Sequence, residues 1–345
     1  MTRVTLKDVA LEAGLSTTQV SRALNDHNDV ANATKEHVRR VAAEMNYVPN
    51  LDARRLQDPA LRTGSIGVVI PTETLRFSDP FFGDLLSSMV AEAGEHGMQL
   101  RLSTPPIETD VLAPYDESIR HMRVDGFVLV RTLVDDPRVD FLLDRGFPFV
   151  SFGRPESSDG FSSVDASPGA FGTVISHLKG LGHRRIACLA EPPQFAIAAH
   201  RLASFQLAIA PHVRAGLFCE PTIRVAGFHE DDGLAAARTL LSEPNPPTAI
   251  VALNDLLAFG TLHAAVELGL VVPDDISVVG FDDIASARLV TPSLTTLHQS
   301  ASEVGGLLIE ELVPLIESNS NTNSERLIEP SLVVRNSTGP APRRS

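Results

Sequence analysis

The chain has 345 residues, of which 43% are hydrophobic, two cysteines and a net charge of −14. Such a length gives room for two or three folding units, and the hydrophobic share is that of a globular protein. No apolar run approaches the ~20 residues that a membrane-crossing helix needs. The first residues lack the basic start and apolar core of a secretory signal, so the cytoplasm is the expected compartment. Cys188 and Cys219 form no CxxC pair, which predicts neither a disulfide framework nor a zinc site.

The acidic balance argues against nucleic acid until its distribution is considered. Residues 1–62 hold nine Lys and Arg against eight Asp and Glu, a balance of +1 that leaves −15 on the remainder. A near-neutral segment on an acidic body keeps the body off DNA and confines contact to a local face. That segment, VTLKDVALEAGLSTTQVSRALN and then HVRRVAAEMNYVPNLDARRL, reads as a helix, a tight turn, a second short helix, a third helix and an extended exit. Thr5 N-caps the first helix with Asp8 as its capping-box partner. Val9, Ala10 and Ala13 form an apolar stripe, and Gly14 supplies the turn. Ser16 caps the second helix, whose Val20, Ala23 and Leu24 face inward. Thr17, Thr18, Gln19 and Arg22 are left outside, where small hydroxyls, an amide and an Arg suit the reading of base edges in a major groove. The third helix, at about 33–45, places Val38, Val41, Ala42 and Met45 on one face. Its Lys35, Arg39 and Arg40 are either solvated charges or, for one or two of them, phosphate contacts. Ala31-Asn32 makes a weak cap for it.

From Gly64 the period changes. SIGVVIP is followed by a helix at about 80–96 and by MQLRLS, then by DGFVLV at 125–130, FPFVSF at 147–152, RIACLA at 185–190, TIRVAG at 222–227, TAIVAL at 248–253 and ISVVGF at 276–281. Helical stretches separate most of these strands, which predicts doubly wound parallel sheets with ligands at the carboxyl ends of the strands. The strands are too many for one compact sheet, so two lobes are expected. Phe81-Phe82, Arg131-Thr132 and Arg154 each follow a strand. The aromatics could be core, whereas an Arg after an apolar strand is costly to bury and favours a cleft.

The opening string matches TLKDVA-x-x-AG-x-S-x-x-x-VSR-x-LN, and in this it resembles the DNA-binding headpiece of the lactose/galactose repressor (LacI/GalR) family. Tyr47, Pro49, Asn50, Ala53, Arg54 and Leu56 fall at the spacing of that family's hinge. The resemblance implies an all-α helix-turn-helix headpiece over 1–48, a hinge helix over 49–63 and a two-lobed periplasmic-binding-protein-like α/β core over 64–345. Its lobes would be 64–165 plus 297–328 and 166–296 plus 329–338. The implied DNA contacts are Thr5, Ser16, Thr17, Thr18, Gln19, Ser21, Arg22, Asn25 and Tyr47, with Asn50, Ala53, Arg54 and Leu56 from the hinge. Leu56 would wedge between base pairs at the centre of the site.

For the core, the resemblance implies an effector site of Phe81, Phe82, Arg131, Thr132, Arg154, Arg201, Phe228, Asn254, Asp255 and Asp282. Arg201 and Asp282 would face one another and grip vicinal hydroxyls; Asp255 and Asp282 could instead cap helices. Arg131 and Arg154 depart from purine-responsive members and favour a polyhydroxylated ligand. Phe195 and Ile197 replace polar positions used by some members.

The function so implied is a sequence-specific transcriptional regulator, a repressor of carbohydrate-metabolism genes. It would work as a homodimer on a pseudo-palindromic double-stranded operator, nucleoid-associated when bound, with a mono- or disaccharide controlling its affinity. No cofactor, metal or catalytic residue is expected. A sensor with a purine, nucleoside or other non-sugar effector is the alternative. An enzyme would need chemistry absent here, since there is no Walker A loop, GxSxG elbow or HExxH. His177, His183, His263 and His298 are scattered and read as structural, His183 as a turn residue before a strand and His298 at a lobe crossover. The tail NSTGPAPRRS carries no heptads, which favours a dimer over a coiled-coil tetramer.

Overall fold

The computed structural model describes residues 4–47, 62–70, 79–106, 108–155, 160–318 and 323–342. The chain divides into two compact units, Met1–Arg62 and Thr63–Ser345.

The first unit is three helices, α1 (Leu6–Ala13), α2 (Thr17–Leu24) and α3 (Asn32–Glu44). Both capping boxes form: Thr5 Oγ1 accepts from Asp8 N, and Ser16 Oγ accepts from Gln19 N. Gly14 ends α1 at φ 67°, a left-handed turn open to glycine without strain. Ala31 offers α3 no side-chain cap. Val9, Ala10, Val20, Ala23, Val38 and Val41 close a small core, with Tyr47 packed half-buried against it.

The second unit holds two six-stranded sheets. The first runs β11-β5-β4-β3-β1-β2, with β1 (Ser65–Val69), β2 (Gln99–Ser103), β3 (Gly126–Leu129), β4 (Phe149–Phe152), β5 (Ser162–Ala166) and β11 (Glu325–Ile328). Every neighbouring pair in it is parallel. The second runs β12-β10-β9-β8-β6-β7, with β6 (Ile186–Ala190), β7 (Thr222–Val225), β8 (Ala249–Ala252), β9 (Ser277–Asp282), β10 (Thr295–His298) and β12 (Ser331–Val333). Only β12 in that sheet is antiparallel, paired with β10. Central strands such as β3, β6 and β8 are buried along their whole length, which is why they read as unbroken apolar runs.

Helices cover both faces of each sheet. On the first, α4 (Pro80–Glu95) and α11 (Ala301–Ser318) supply Leu85, Met89, Leu308 and Leu312 to one face. The helices α5 (Ala113–Arg120) and α6 (Pro137–Asp144) supply Tyr115, Val139 and Leu142 to a second apolar cluster with Phe127 and Leu129. On the second sheet, α7 (Phe171–Gly180) and α8 (Ala196–Arg214) pack Phe171, Ile175 and Phe205 with Val251 and Phe281. The helices α9 (Glu230–Leu241) and α10 (Asp255–Glu267) pack Leu240, Leu257 and Ala258 with Ile250 and Val278. The chain passes from sheet to sheet after β5, after β10 and between β11 and β12.

Three features differ from the sequence reading. The strands β5, β10 and β11 are short and polar, so hydropathy does not reveal them. The second sheet keeps the chain through His298, past the expected crossing at 297. The polar tail is stitched into the second lobe: Val278 N donates to Ser337 O at 2.8 Å, and Ala341 N donates to Leu181 O at 2.8 Å. His183 sits between a turn and β6, as its sequence suggests, and is buried between Thr248 Oγ1 (3.0 Å) and Gly339 O (3.1 Å).

Candidate functional site

On the headpiece, Thr17, Thr18, Gln19 and Arg22 are exposed on α2. Thr5 and Ser16 use their hydroxyls as helix caps, and Gln19 Oε1 accepts from both Ser16 N and Ser16 Oγ at 3.0 Å. Only the amide nitrogen of Gln19 is left for a base edge. Asn25 Nδ2 reaches Ser21 Oγ at 3.5 Å. Arg22 is paired with Asp29, both exposed, and such a pair is worth ~0–1 kcal/mol and exchanges readily for phosphate or a base. Lys35 and Arg39 both bind Asp26 at 3.0 Å, so the solvated reading of those charges overstated their freedom. The hinge residues Asn50, Ala53, Arg54 and Leu56 lie outside the described residues.

In the second unit, loops after several strands of both sheets enclose a cavity of ≈ 90 Å³. Phe81, Phe82, Val130, Arg131, Thr132 and Phe152 line it from the first lobe. Glu191, Phe195, Ile197, Arg201, Phe228, Asn254, Asp255, Asp282 and Ile284 line it from the second. The lobes meet at its rim by main-chain bonds: Ala196 N donates to Thr132 O (2.8 Å), and Val134 N donates to Gln194 O (2.9 Å). At Gly153, φ 84°, an added Cβ would lie 2.5 Å from Ile197, so the two lobes close on a bare backbone here.

Each polar wall residue is held by a specific device. Arg201, 6% exposed on α8, donates to Leu253 O (2.8 Å) and to Asp282 Oδ1 (2.6 Å) while its guanidinium lies over Phe281, 3.9 Å from the ring centre. Its Nε has no hydrogen-bond partner among the described residues. Asp282 and Arg131 occupy the left-handed region at φ 108° and 50°. Backbone strain of this kind costs about 1–3 kcal/mol per residue and persists where surroundings over-determine it. Behind Arg131, the buried Arg138 donates to Val130 O (3.3 Å) and Arg131 O (3.2 Å) and is itself anchored on Asp136. Asn254 caps α10 by accepting from Leu257 N (2.7 Å), and donates to Glu191 Oε1 (2.8 Å) and Phe228 O (3.2 Å). Asp255 is therefore not the cap. Its carboxylate accepts from Thr296 Oγ1 (2.6 Å) and Ile284 N (2.9 Å).

Burial dominates the electrostatics. It pushes Asp255 up to about 7, against the hydrogen bonds from Thr296 and Ile284. Burial also raises Glu191 and Asp282, with Arg201 opposing it in both cases. Arg131 is lowered by burial, with Asp79 and Glu191 acting against that. Asp282 and Glu191 raise Arg201 against its burial, and its Nη2 meets Asp282 Oδ1 at 2.6 Å.

The structure thus brings Phe81, Phe82, Arg131, Thr132, Arg201, Phe228, Asn254, Asp255 and Asp282 to one cavity. Arg154 is the exception. The turn at Gly153 carries it out of the cleft, and it pairs with Glu325 at 2.6 Å in a separate groove with Asp165 and His200. Thr132 lines the cavity but donates its hydroxyl to Phe152 O (3.0 Å). Glu191 is a wall residue that sequence reasoning missed, although it directly follows β6, the same signal that singled out Arg131. Among the described residues, no cluster of three His, Cys, Asp or Glu could hold a metal ion, and no helix is long and apolar enough to cross a membrane.

Comparison with known proteins bears on both units. The family model for bacterial regulatory proteins, lacI family, matches residues 5–50, and that for a periplasmic binding protein-like domain matches residues 175–338. The HTH-type transcriptional repressor CytR of Escherichia coli (strain K12) is 30% identical over 346 residues, covering 99% of this chain and 98% of its own. Among solved structures, the lac repressor dimer bound to operator and the anti-inducer ONPF aligns with a TM-score of 0.82 at 28% identity, over 98% of this chain and 100% of that one. The transcriptional regulator CelR–cellobiose complex aligns with a TM-score of 0.73 at 29% identity, over 97% and 100%.

Proposed function

The chain belongs to the lacI family of bacterial regulatory proteins and is a DNA-binding transcriptional regulator; we propose that a small sugar in the cleft controls its affinity for an operator. One observation carries this reading. A single cavity is lined by Phe81, Phe82, Phe195 and Phe228 together with two guanidinium groups and several carboxylates. Apolar sugar faces pack on aromatic rings, while hydroxyls need charged planar partners that donate and accept in pairs. The Arg201–Asp282 pair supplies both halves of one such grip. That the CelR structure holds cellobiose supports the same class of ligand. On the DNA side, Thr17, Thr18, Gln19, Ser21 and Arg22 of α2 would enter the major groove, with the dimer reading two half-sites of a pseudo-palindrome. The sugar acts through its differential affinity for the two states of the protein, and a swing from 1:99 to 99:1 requires about 5.5 kcal/mol.

The test is a mobility-shift titration on the DNA upstream of the protein's own gene, repeated with sugars and with purine nucleosides. A sequence-specific shift relieved or strengthened by one sugar is the expected result. A response to a nucleoside alone would replace the effector class and leave the DNA reading intact.

A further inference from the structure

We infer that Glu191 and Arg131 form a second hydroxyl-gripping pair in the cleft, so that the effector is a sugar held at two separate diol edges and Glu191 selects among sugars. This rests on the sugar reading above. It starts from the wall groups that remain unsatisfied once the internal bonds are assigned. Asp255, Asn254 and Thr132 are bound to protein groups, and Arg201 and Asp282 are bound to one another, Arg201 keeping one buried Nε without a partner among the described residues. Arg131 is different: its guanidinium makes no hydrogen bond or ion pair among the described residues and only stands over Phe228, 5.0 Å from the ring centre. Glu191 is 6% exposed. Its Oε1 takes the Asn254 amide at 2.8 Å, while its Oε2 stands 3.8 Å from Arg201 Nη1, beyond hydrogen-bond reach. Oε2 thus stays within ion-pair range of Arg201 but takes no hydrogen bond among the described residues, and at the cavity wall it is open to a ligand's donor.

The chemistry of the two groups fixes what fits. Guanidinium only donates and carboxylate only accepts. A hydroxyl does both, so adjacent hydroxyls of one ring satisfy the pair without bringing charge. An anion would face Glu191, Asp79 and Asp282, and a cation would face Arg131 and Arg201. A nucleoside carries one vicinal diol and could satisfy one grip, whereas a pyranose or a disaccharide presents hydroxyl pairs at both ends. Asn254, as cap of α10 and donor to Glu191, sets the carboxylate's orientation from a rigid element.

The test is calorimetry on the full-length protein with glucose, ribose, maltose, trehalose, cellobiose and cytidine, then with monodeoxy derivatives of whichever sugar binds. Glu191→Gln keeps the volume and should weaken that sugar roughly 10- to 100-fold. For one deoxy derivative, the one lacking the hydroxyl that Glu191 holds, wild type and variant should bind alike. Arg131→Gln should show the same pattern at the neighbouring hydroxyl. A sugar that binds Glu191→Gln as tightly as wild type, or a loss equal across all deoxy derivatives, overturns the second grip while keeping the sugar reading. If cytidine binds wild type and no sugar does, the sugar reading falls and this inference with it.

Discussion

The headpiece and the cleft both present polar side chains to a ligand, but they are wired over different distances along the chain. In the headpiece, Thr5 reaches Asp8 and Ser16 reaches Gln19, each three residues on. In the cleft, Asn254 reaches Glu191 over 63 positions, Asp255 reaches Thr296 over 41, and Arg201 reaches Asp282 over 81. The headpiece groups are exposed, so losing one partner lets water replace it. The cleft groups are buried, so losing one partner strands the other in a medium that solvates charge poorly. Single substitutions should therefore be graded, large in the cleft and small in the headpiece.

The largest effect is expected from Arg201→Ala. It removes the counter-ion of Asp282, the nearest cation to Glu191 and the donor to Leu253 O together. Breaking a buried pair from one side costs about 3–5 kcal/mol. Effector binding should fall by two orders of magnitude or more in calorimetry, and the operator shift should cease to respond to sugar. A variant with near-normal effector affinity would show that the pair is structural and that the grip lies elsewhere.

An intermediate effect is expected from pH, through Asp255. Its folded pKa of about 7 lies above the ordinary value of 3.8. Between those values the folded protein binds more protons than the unfolded chain, so stability is greater at acid pH and is lost as pH rises through the folded pKa. A tenfold difference in proton affinity between folded and unfolded chain is worth about 1.4 kcal/mol, which makes the slope measurable. Denaturation of the protein in urea should show a midpoint that declines between about pH 4 and pH 7 and then levels off. Asp255→Asn should flatten that decline. Some slope should remain, because burial raises Glu191 and Asp282 in the same direction. Identical slopes in wild type and variant would mean that Asp255 is not what carries the proton. The seat of this carboxylate is narrow: a Cβ at Gly280 would collide with its Oδ1.

The same difference in wiring decides what the sequence could reveal. Capping boxes, the turn at Gly14 and the apolar stripe of α1 depend on spacings of three and four, and all are visible in the string itself. Buried strands such as β8 announce themselves by unbroken apolar runs. Arg131 could be placed because burying an Arg after a strand is costly, yet the same rule failed for Arg154, whose direction is set by the left-handed turn at Gly153 and by Glu325, 171 positions away. Glu191 carried the strand-end signal that singled out Arg131, but the bond that orients it comes from Asn254, 63 positions away. The strands β10 and β11 are polar and short, and only their pairing with β9 and β5 makes them strands.

The smallest effect should come from Ser16→Ala, which puts the local half of the comparison to the test. Ser16 caps α2 through Gln19 N at 3.2 Å, and Gln19 returns the bond through Oε1. Removing the hydroxyl frees one amide at an exposed helix end and costs about 1 kcal/mol. Hydrogen exchange should accelerate at the first amides of α2 and leave those of β6 and β8 unchanged, because the cap's hydrogen bonds run to Gln19 in its own turn. The freed Gln19 amide gains rotamers, so operator affinity should fall modestly and without change in sugar affinity. A loss as large as that of Arg201→Ala would mean that the cap is coupled to more than its own helix, and the contrast between local and long-range wiring would fail at its simpler end.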